Sequence, residues 1–194
     1  MRYVAHGREI GGIAWWGELL VTFLERPGIT SRLRLRGHDY SDPAYYFITI
    51  CIRQRLQILG AVHELAFLPS DVGTMIEDYL ITIPIRFPGT CLDTWCLMPN
   101  HLHLLLGVGV EDDPTPLLPS IPSIMDWFKS VTTVEYINGV KNLGWPRFDR
   151  YLWQPKYHDR VVRNDRELEQ IRNYIANNPA NWHEDMHFTE HPRS

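Results

Sequence analysis

The sequence predicts an α+β fold: a ferredoxin-like βαββαβ antiparallel sheet with helices packed on it, followed by one more helix at the C-terminal end. Three observations carry that expectation. Segments rich in β-branched and aromatic residues alternate with segments whose apolar residues recur at helical spacing. Two extended segments, 90–98 and 101–108, are separated only by Pro99 and Asn100, which makes them a hairpin. A last segment, 164–179, carries both the start and the stop signals of a helix.

The elements follow in order. The first thirty residues close on the Pro-Gly break of "ERPGIT" and read as an appendage, 1–30, ahead of a domain spanning 31–182 and a tail, 183–194. "RLRLRG" alternates basic and apolar residues, with Arg32, Arg34 and Arg36 on one side, as an edge strand or extended arm would. "DYSDPAYY" is a turn that Pro43 stops, and "YYFITICIR" (45–53) is a strand. "PSDVGTMIEDYLITIP" (69–84) is a helix capped by Ser70 or Asp71, with Val72, Met75, Ile76, Tyr79 and Leu80 on its apolar side. The hairpin comes next, then the proline-rich loop "EDDPTPLLPSIP". A helix over 123–139 ends at Gly139, and 150–163 breaks at Pro155 before resuming as a strand. In the last helix Asn164 is the N-cap and Glu167 holds the capping-box position. Leu168, Ile171 and Ile175 form the buried stripe, and Pro179 is the stop.

Composition narrows the class of protein. The chain has 194 residues, 44% hydrophobic and 22% charged, which describes an ordinary soluble globular domain with a real core. Three cysteines, Cys51, Cys91 and Cys96, form no CxxC pair, which argues against a disulfide scaffold or a cysteine zinc site and for a reducing compartment. "IGGIAWWGELLVTFL" is broken by Glu18 and falls short of the roughly 20 apolar residues a bilayer needs. A cytoplasmic protein with no membrane partner is expected.

The net charge of −4 is unevenly laid out: residues 61–118 hold one Lys or Arg against eight Asp and Glu. The cations cluster in "SRLRLRG", "CIRQR" and 141–172. Local potential, rather than the total, steers a polyanion, so the charge neither excludes nor argues for nucleic acid.

Two groups of residues could carry chemistry. His101 and His103 stand at i and i+2 of a strand, on the same face and about 7 Å apart along the chain, close enough for both rings to reach one ion. The plainer reading is a pair of half-exposed histidines on a solvated sheet face. On the last helix Gln170, Tyr174 and Asn178 recur every four residues and share a face. By itself Tyr174 also suits the edge of a core, and Asn178 an ordinary helix end.

Taken together, the His-x-His strand and the Tyr and Asn one turn apart on a C-terminal helix resemble the single-tyrosine HUH endonucleases. The closer resemblance is to the REP-associated tyrosine transposases, within the broad family of insertion-sequence transposases. "YYFITICIR", "LDTWCLMPNHLHLLL", "FKSVTT" and "LWQPKYHDRVVRNDRELEQIRNYIANNP" carry it, in family order, over roughly residues 30 to 182. The resemblance implies His101 and His103 as metal ligands, Asn178 as the third ligand and Tyr174 as the nucleophile carried by the C-terminal helix. It further implies a divalent cofactor, Mg²⁺ or Mn²⁺, and metal-dependent cleavage and strand transfer of single-stranded, hairpin-bearing DNA through a 5′-phosphotyrosine intermediate. Relatives of this kind are monomers or homodimers.

Arg32, Arg34, Arg36, Arg53, Arg55 and Lys129 are candidate phosphate contacts. Tyr45, Tyr46, Trp127 and Trp153 are candidate stacking platforms for unpaired bases. His158, Arg160 and Arg163 are assigned no catalytic role. Two other readings compete. A domesticated hairpin-binding protein would have no need of the Tyr174 phenol. A metal hydrolase of another kind would work without Tyr174, and no additional acidic ligand is evident in the sequence near the His pair.

Overall fold

The computed structural model describes residues 3–5, 8–10, 43–110, 117–185 and 187. Its first strands, β1 (Tyr3–Ala5) and β2 (Arg8–Ile10), pair with each other. They are the described part of the expected appendage; Arg32, Arg34 and Arg36 lie outside the described residues.

Then follow β3 (Ala44–Cys51), β4 (Gly60–His63), β5 (Ala66–Pro69), α1 (Asp71–Leu80) and α2 (Ile83–Arg86). The chain continues as β6 (Thr90–Met98), β7 (His101–Val108), α3 (Ile121–Asn142), β8 (His158–Val161) and α4 (Asp165–Asn177). Four strands form one sheet in the order β6-β7-β3-β8, each neighbouring pair antiparallel. This is the expected βαββαβ arrangement with α4 added.

Both faces of the sheet are covered. On one, Leu102, Leu104 and Leu106 of β7 and Ile48 and Ile50 of β3 pack against Ile76 and Leu80 of α1 and Ile124 and Phe128 of α3. On the other, Leu105 meets Ile171 and Ile175 of α4, with Phe47, Leu168 and Tyr174 around them. All eight residues of β7 are therefore buried, and a strand buried on both faces reads as an unbroken apolar run. Each fully buried leucine contributes about 1.5–3 kcal/mol. A one-residue slip of β7 would exchange its faces and drive two imidazoles into the larger core, so the register is firmly set.

Several elements differ from the sequence expectation. Residues 54–68, to which no element was assigned, contain the β4–β5 hairpin, whose turn residues Glu64 and Leu65 have φ of 48° and 66°. Such a turn favours Asn or Gly, and neither is present to announce it. The first helix is shorter than 69–84, with Ser70 as its cap (Gly73 N–H donates to Oγ at 3.1 Å). The third helix does not end at Gly139 but runs on to Asn142. Gly139 is there because the Trp145 ring lies on it: a Cβ would come 2.1 Å from Trp145 Cε3.

Candidate metal centre

β7 leaves the turn at Asn100, and its first and third residues are His101 and His103. Period two puts both on the α4 side with Leu105. They are 0% and 2% exposed, which rules out the solvated-face reading. Their Nε2 atoms stand 3.0 Å apart.

Neighbours decide how the rings are protonated. Asn100 donates through Nδ2 to the carbonyls of Arg55 (3.3 Å) and His187 (2.8 Å), so its Oδ1 is the atom 2.9 Å from His101 Nδ1. An amide oxygen only accepts, so Nδ1 of His101 carries the proton and Nε2 offers its lone pair. His103 Nδ1 lies 2.7 Å from Oγ1 of Thr49, directly across on β3. The hydroxyl can accept from Nδ1, which leaves Nε2 of His103 available too. Burial is the main force pushing both imidazoles down, with nearby histidines adding to it: His103 to about 3 and His101 well below its ordinary value. At neutral pH both are uncharged bases, the form that binds a cation.

α4 brings the remaining residues. Asn164 Oδ1 accepts from Glu167 N–H at 2.9 Å, so the expected N-cap is present, while Glu167 accepts at 2.8 Å from Arg163 N–H, one residue before the N–H a capping box would use. Ile171 and Ile175 then seat the helix on the sheet, with Tyr174 between them facing the histidines. Its phenolic oxygen lies 3.2 Å from His103 Nε2. Phe47 supports both rings, stacked on His103 at 5.4 Å between centroids and edge-on to Tyr174 at 5.9 Å. Burial raises the phenol's pKa, the Asp185 charge raises it further, and a hydrogen bond with Asn178 opposes them. Gln170, on the same helical face, stays exposed and does not join the group.

Asn178 caps the C-terminal end of α4 and is 2% exposed. Its Nδ2 donates to Asp185 Oδ2 at 3.2 Å, while its buried Oδ1 has no hydrogen-bond partner among the described residues. Asp185 and His187 lie in the segment that the sequence reading left as a tail. After Pro179 the chain makes a 3-10 turn, Trp182–Glu184, anchored by buried Trp182, whose ring is 6.0 Å from that of His101. That turn returns Asp185 to the histidines. His187 follows, its ring 4.6 Å from His101 and its N–H donating to Asp185 Oδ1 at 2.6 Å. No motif marks either residue; the fold alone collects them. Asn100 stands within "LDTWCLMPNHLHLLL", a segment that carries the resemblance, but the sequence gives it no role beyond the turn.

The donor set fits a divalent cation. Among the described residues, His101, His103 and Asp185 offer ligand atoms all within 4.8 Å of one another. Two nitrogens held about 2.1 Å from one ion at a right angle lie about 3.0 Å apart, whereas a tetrahedral angle would separate them by about 3.4 Å. The observed 3.0 Å lets both nitrogens reach one ion.

The candidate DNA contacts fall out unevenly. Arg53 and Arg55 sit in a 3-10 turn directly after β3, and Arg55 is close enough for its charge to lower the pKa of His101. Arg53 lies over the ring of Tyr151, 5.5 Å from its centroid, and that tyrosine is 56% exposed. Lys129 is occupied within the fold, donating to the carbonyls of Gln154 (2.7 Å) and Pro155 (3.0 Å). Tyr46 and Trp153 are buried in the main core, and Trp153 Nε1 donates to Thr132 Oγ1 at 2.9 Å, so neither is a surface for bases. Trp127 packs against Phe87, and Tyr45 borders the α4 cluster. His158, across from Thr49 on β8, is exposed.

Comparison with known proteins agrees with the fold. A family model described as "Transposase IS200 like" matches residues 68–178. A protein of Haemophilus influenzae is 29% identical over 178 residues, covering 81% of this chain and 92% of that protein. A second protein of that organism, named as a candidate REP-associated tyrosine transposase, is 23% identical over 148 residues and 73% of each chain. A solved structure of a REP-associated tyrosine transposase bound to a REP hairpin has a TM-score of 0.54 at 20% identity, over 79% of this chain and 74% of that one. At that identity the likeness is one of fold.

Proposed function

The chain belongs to the IS200-like transposase family, and on that premise we propose that it cleaves and rejoins single-stranded, hairpin-bearing DNA through a covalent tyrosine intermediate. The observation that carries the proposal is the 3.2 Å contact between the Tyr174 phenol and His103 Nε2, in a cluster whose nitrogens are held neutral and 3.0 Å apart. His101 and His103 would hold the ion, Mg²⁺ or Mn²⁺, and Asn178 stands where the resemblance puts an oxygen ligand; its Oδ1, without a hydrogen-bond partner among the described residues, suits that place. A cation bound by these residues would supply Lewis-acid polarisation of the scissile phosphate and stabilisation of charge developing on it.

The chain's own groups supply the rest. Phe47 and the hydrophobic seat of α4 fix the phenol, so attack becomes a matter of position rather than encounter. The phenol stays protonated until it reacts, because burial raises its pKa. Its oxygen forms a bond to phosphorus as the phosphorus–O3′ bond breaks. The proton leaves Tyr174 and the departing strand ends in a 3′-hydroxyl, so atoms and charge balance. Reversal with another 3′-hydroxyl joins strands without an outside energy source. Arg53 and Arg55, beside the His101 end of the sheet, would contact the phosphates flanking the cut. The segment 31–182 would act as the transposase-like domain.

The test is incubation of the protein, Mn²⁺ and end-labelled hairpin DNA, followed by a denaturing gel. A covalent adduct is expected with the natural chain. Tyr174→Phe should lose the adduct and all cleavage while binding the hairpin within about threefold. Normal cutting by Tyr174→Phe would overturn the tyrosine mechanism. Binding without an adduct by the natural chain would favour the hairpin-binding reading instead.

A further inference from the structure

We infer that Asp185 is an anionic ligand of the ion held by His101 and His103, and that metal binding and the fold of the chain after α4 are therefore linked. The inference rests on the reading of the histidine pair given under Proposed function and adds a residue that lies beyond the nucleophile helix, in a segment without a recognised motif.

Three independent features converge on Asp185. Its carboxylate offers an oxygen within 4.8 Å of the ligand nitrogens of both histidines. Both of its oxygens are already oriented, Oδ2 by Asn178 Nδ2 at 3.2 Å and Oδ1 by the His187 N–H at 2.6 Å. Such fixing of a carboxylate by outer hydrogen bonds is how ligands are held for a metal. Third, the segment is anchored at both sides of Asp185. Trp182 is buried against the His101 side, and the His187 carbonyl accepts from Asn100, the residue that orients His101. Two neutral imidazoles alone leave a divalent charge uncompensated in a buried place. One carboxylate halves that charge, and an Asp is a stronger ligand for a hard cation than an amide.

The linkage follows by mass action. If the ion bonds to residues on β7 and to Asp185, it binds tightly only when the turn at 182–184 is folded, and it stabilises that turn in return. The metal thus joins the C-terminal segment to the sheet.

The experiment is calorimetric titration of the metal-stripped full chain with Mn²⁺, alongside limited proteolysis of the C-terminal segment with and without Mn²⁺. Asp185→Asn keeps the shape of the side chain and removes its charge; exposed Glu184→Gln is the control, and His101→Ala tests the underlying site. Unchanged circular dichroism in each variant secures the comparison. The expected result is Mn²⁺ binding weakened tenfold or more in Asp185→Asn and within twofold of the natural chain in Glu184→Gln. Mn²⁺ should slow cleavage after α4 in the natural chain and not in Asp185→Asn. Affinity within twofold in Asp185→Asn, with loss in His101→Ala, overturns the role of Asp185 and leaves the histidine site standing. No loss in either variant overturns both readings. Loss in Asp185→Asn alone means a separate ion site and overturns the shared one.

Discussion

The side-chain oxygen of Asn100 lies 2.9 Å from Nδ1 of His101, while the same residue's amino group ties down the carbonyls of Arg55 and His187. One buried amide thus fixes an imidazole tautomer, the turn after β3 and the segment after α4. Asn100→Ala removes all three contacts and leaves two part-buried carbonyls without this donor, each costing up to about 1–3 kcal/mol. The variant should lose about 2–4 kcal/mol of stability in urea unfolding and bind Mn²⁺ about 10–100-fold more weakly, the usual cost of losing an outer-shell partner. Loss of stability with unaltered Mn²⁺ affinity would show that Asn100 supports the fold but not the ligand.

Acid should unfold the metal-free protein through its histidines. In the folded chain His103 has its pKa lowered to about 3, and in the unfolded chain it returns to 6.5, so between those values the unfolded state binds a proton that the folded state refuses. His101 acts in the same direction. Their burial carries no protonation penalty above pH 6.5 and a growing one as pH falls below it, about 1.4 kcal/mol per pH unit for each group. Urea unfolding at pH 7.0 and 5.5 should show a drop of about 1–3 kcal/mol from these two residues. The drop should shrink in His103→Gln; an equal drop in that variant would place the acid sensitivity elsewhere.

Gly139→Ala should destabilise, against the ordinary rule. In an open helix the change would gain about 1 kcal/mol. Here the new methyl would sit 2.1 Å from Cε3 and 2.4 Å from Cδ2 of Trp145, a rigid ring packed on Tyr136. Displacing that ring is an overpacking change costing about 1–3 kcal/mol, so the clash should win. Thermal unfolding decides it by the sign of the shift in Tm.

Arg172 of α4 holds Asp93 of β6 with two bonds, Nε to Oδ1 at 2.9 Å and Nη2 to Oδ2 at 2.5 Å. Asp93 is the extra residue of a bulge between Leu92 and Thr94, which frees it from the strand ladder to meet the helix. Arg172→Ala should cost about 1 kcal/mol, since the arginine is 37% exposed and water weakens the pair. Because the pair anchors the Tyr174 helix, adduct formation should slow while hairpin affinity stays put. Arg172→Lys should restore part of that rate; equal rates in all three proteins would separate the pair from the chemistry.

Much of the fold could be read from the sequence because its signals are local. The sheet strands and α4 declared themselves through β-branched runs, a two-residue turn and an N-cap with Glu167 at the capping-box position. The β4–β5 hairpin did not, because its turn residues take positive φ without being Asn or Gly. The end of α3 was misplaced because Gly139 serves a tertiary contact with Trp145 rather than a helix stop.

Sequence alone determined which residues could meet: period two put His101 and His103 on one strand face, and period four put Tyr174 and Asn178 on one helix face. Tertiary structure alone decided that those two faces oppose each other, that the histidines are buried and neutral, and that Asp185, His187 and Asn100 close around them. Spacing along a chain governs which side chains share a surface. Which surfaces face each other depends on the packing of elements far apart in the sequence, and burial and pKa follow from that packing.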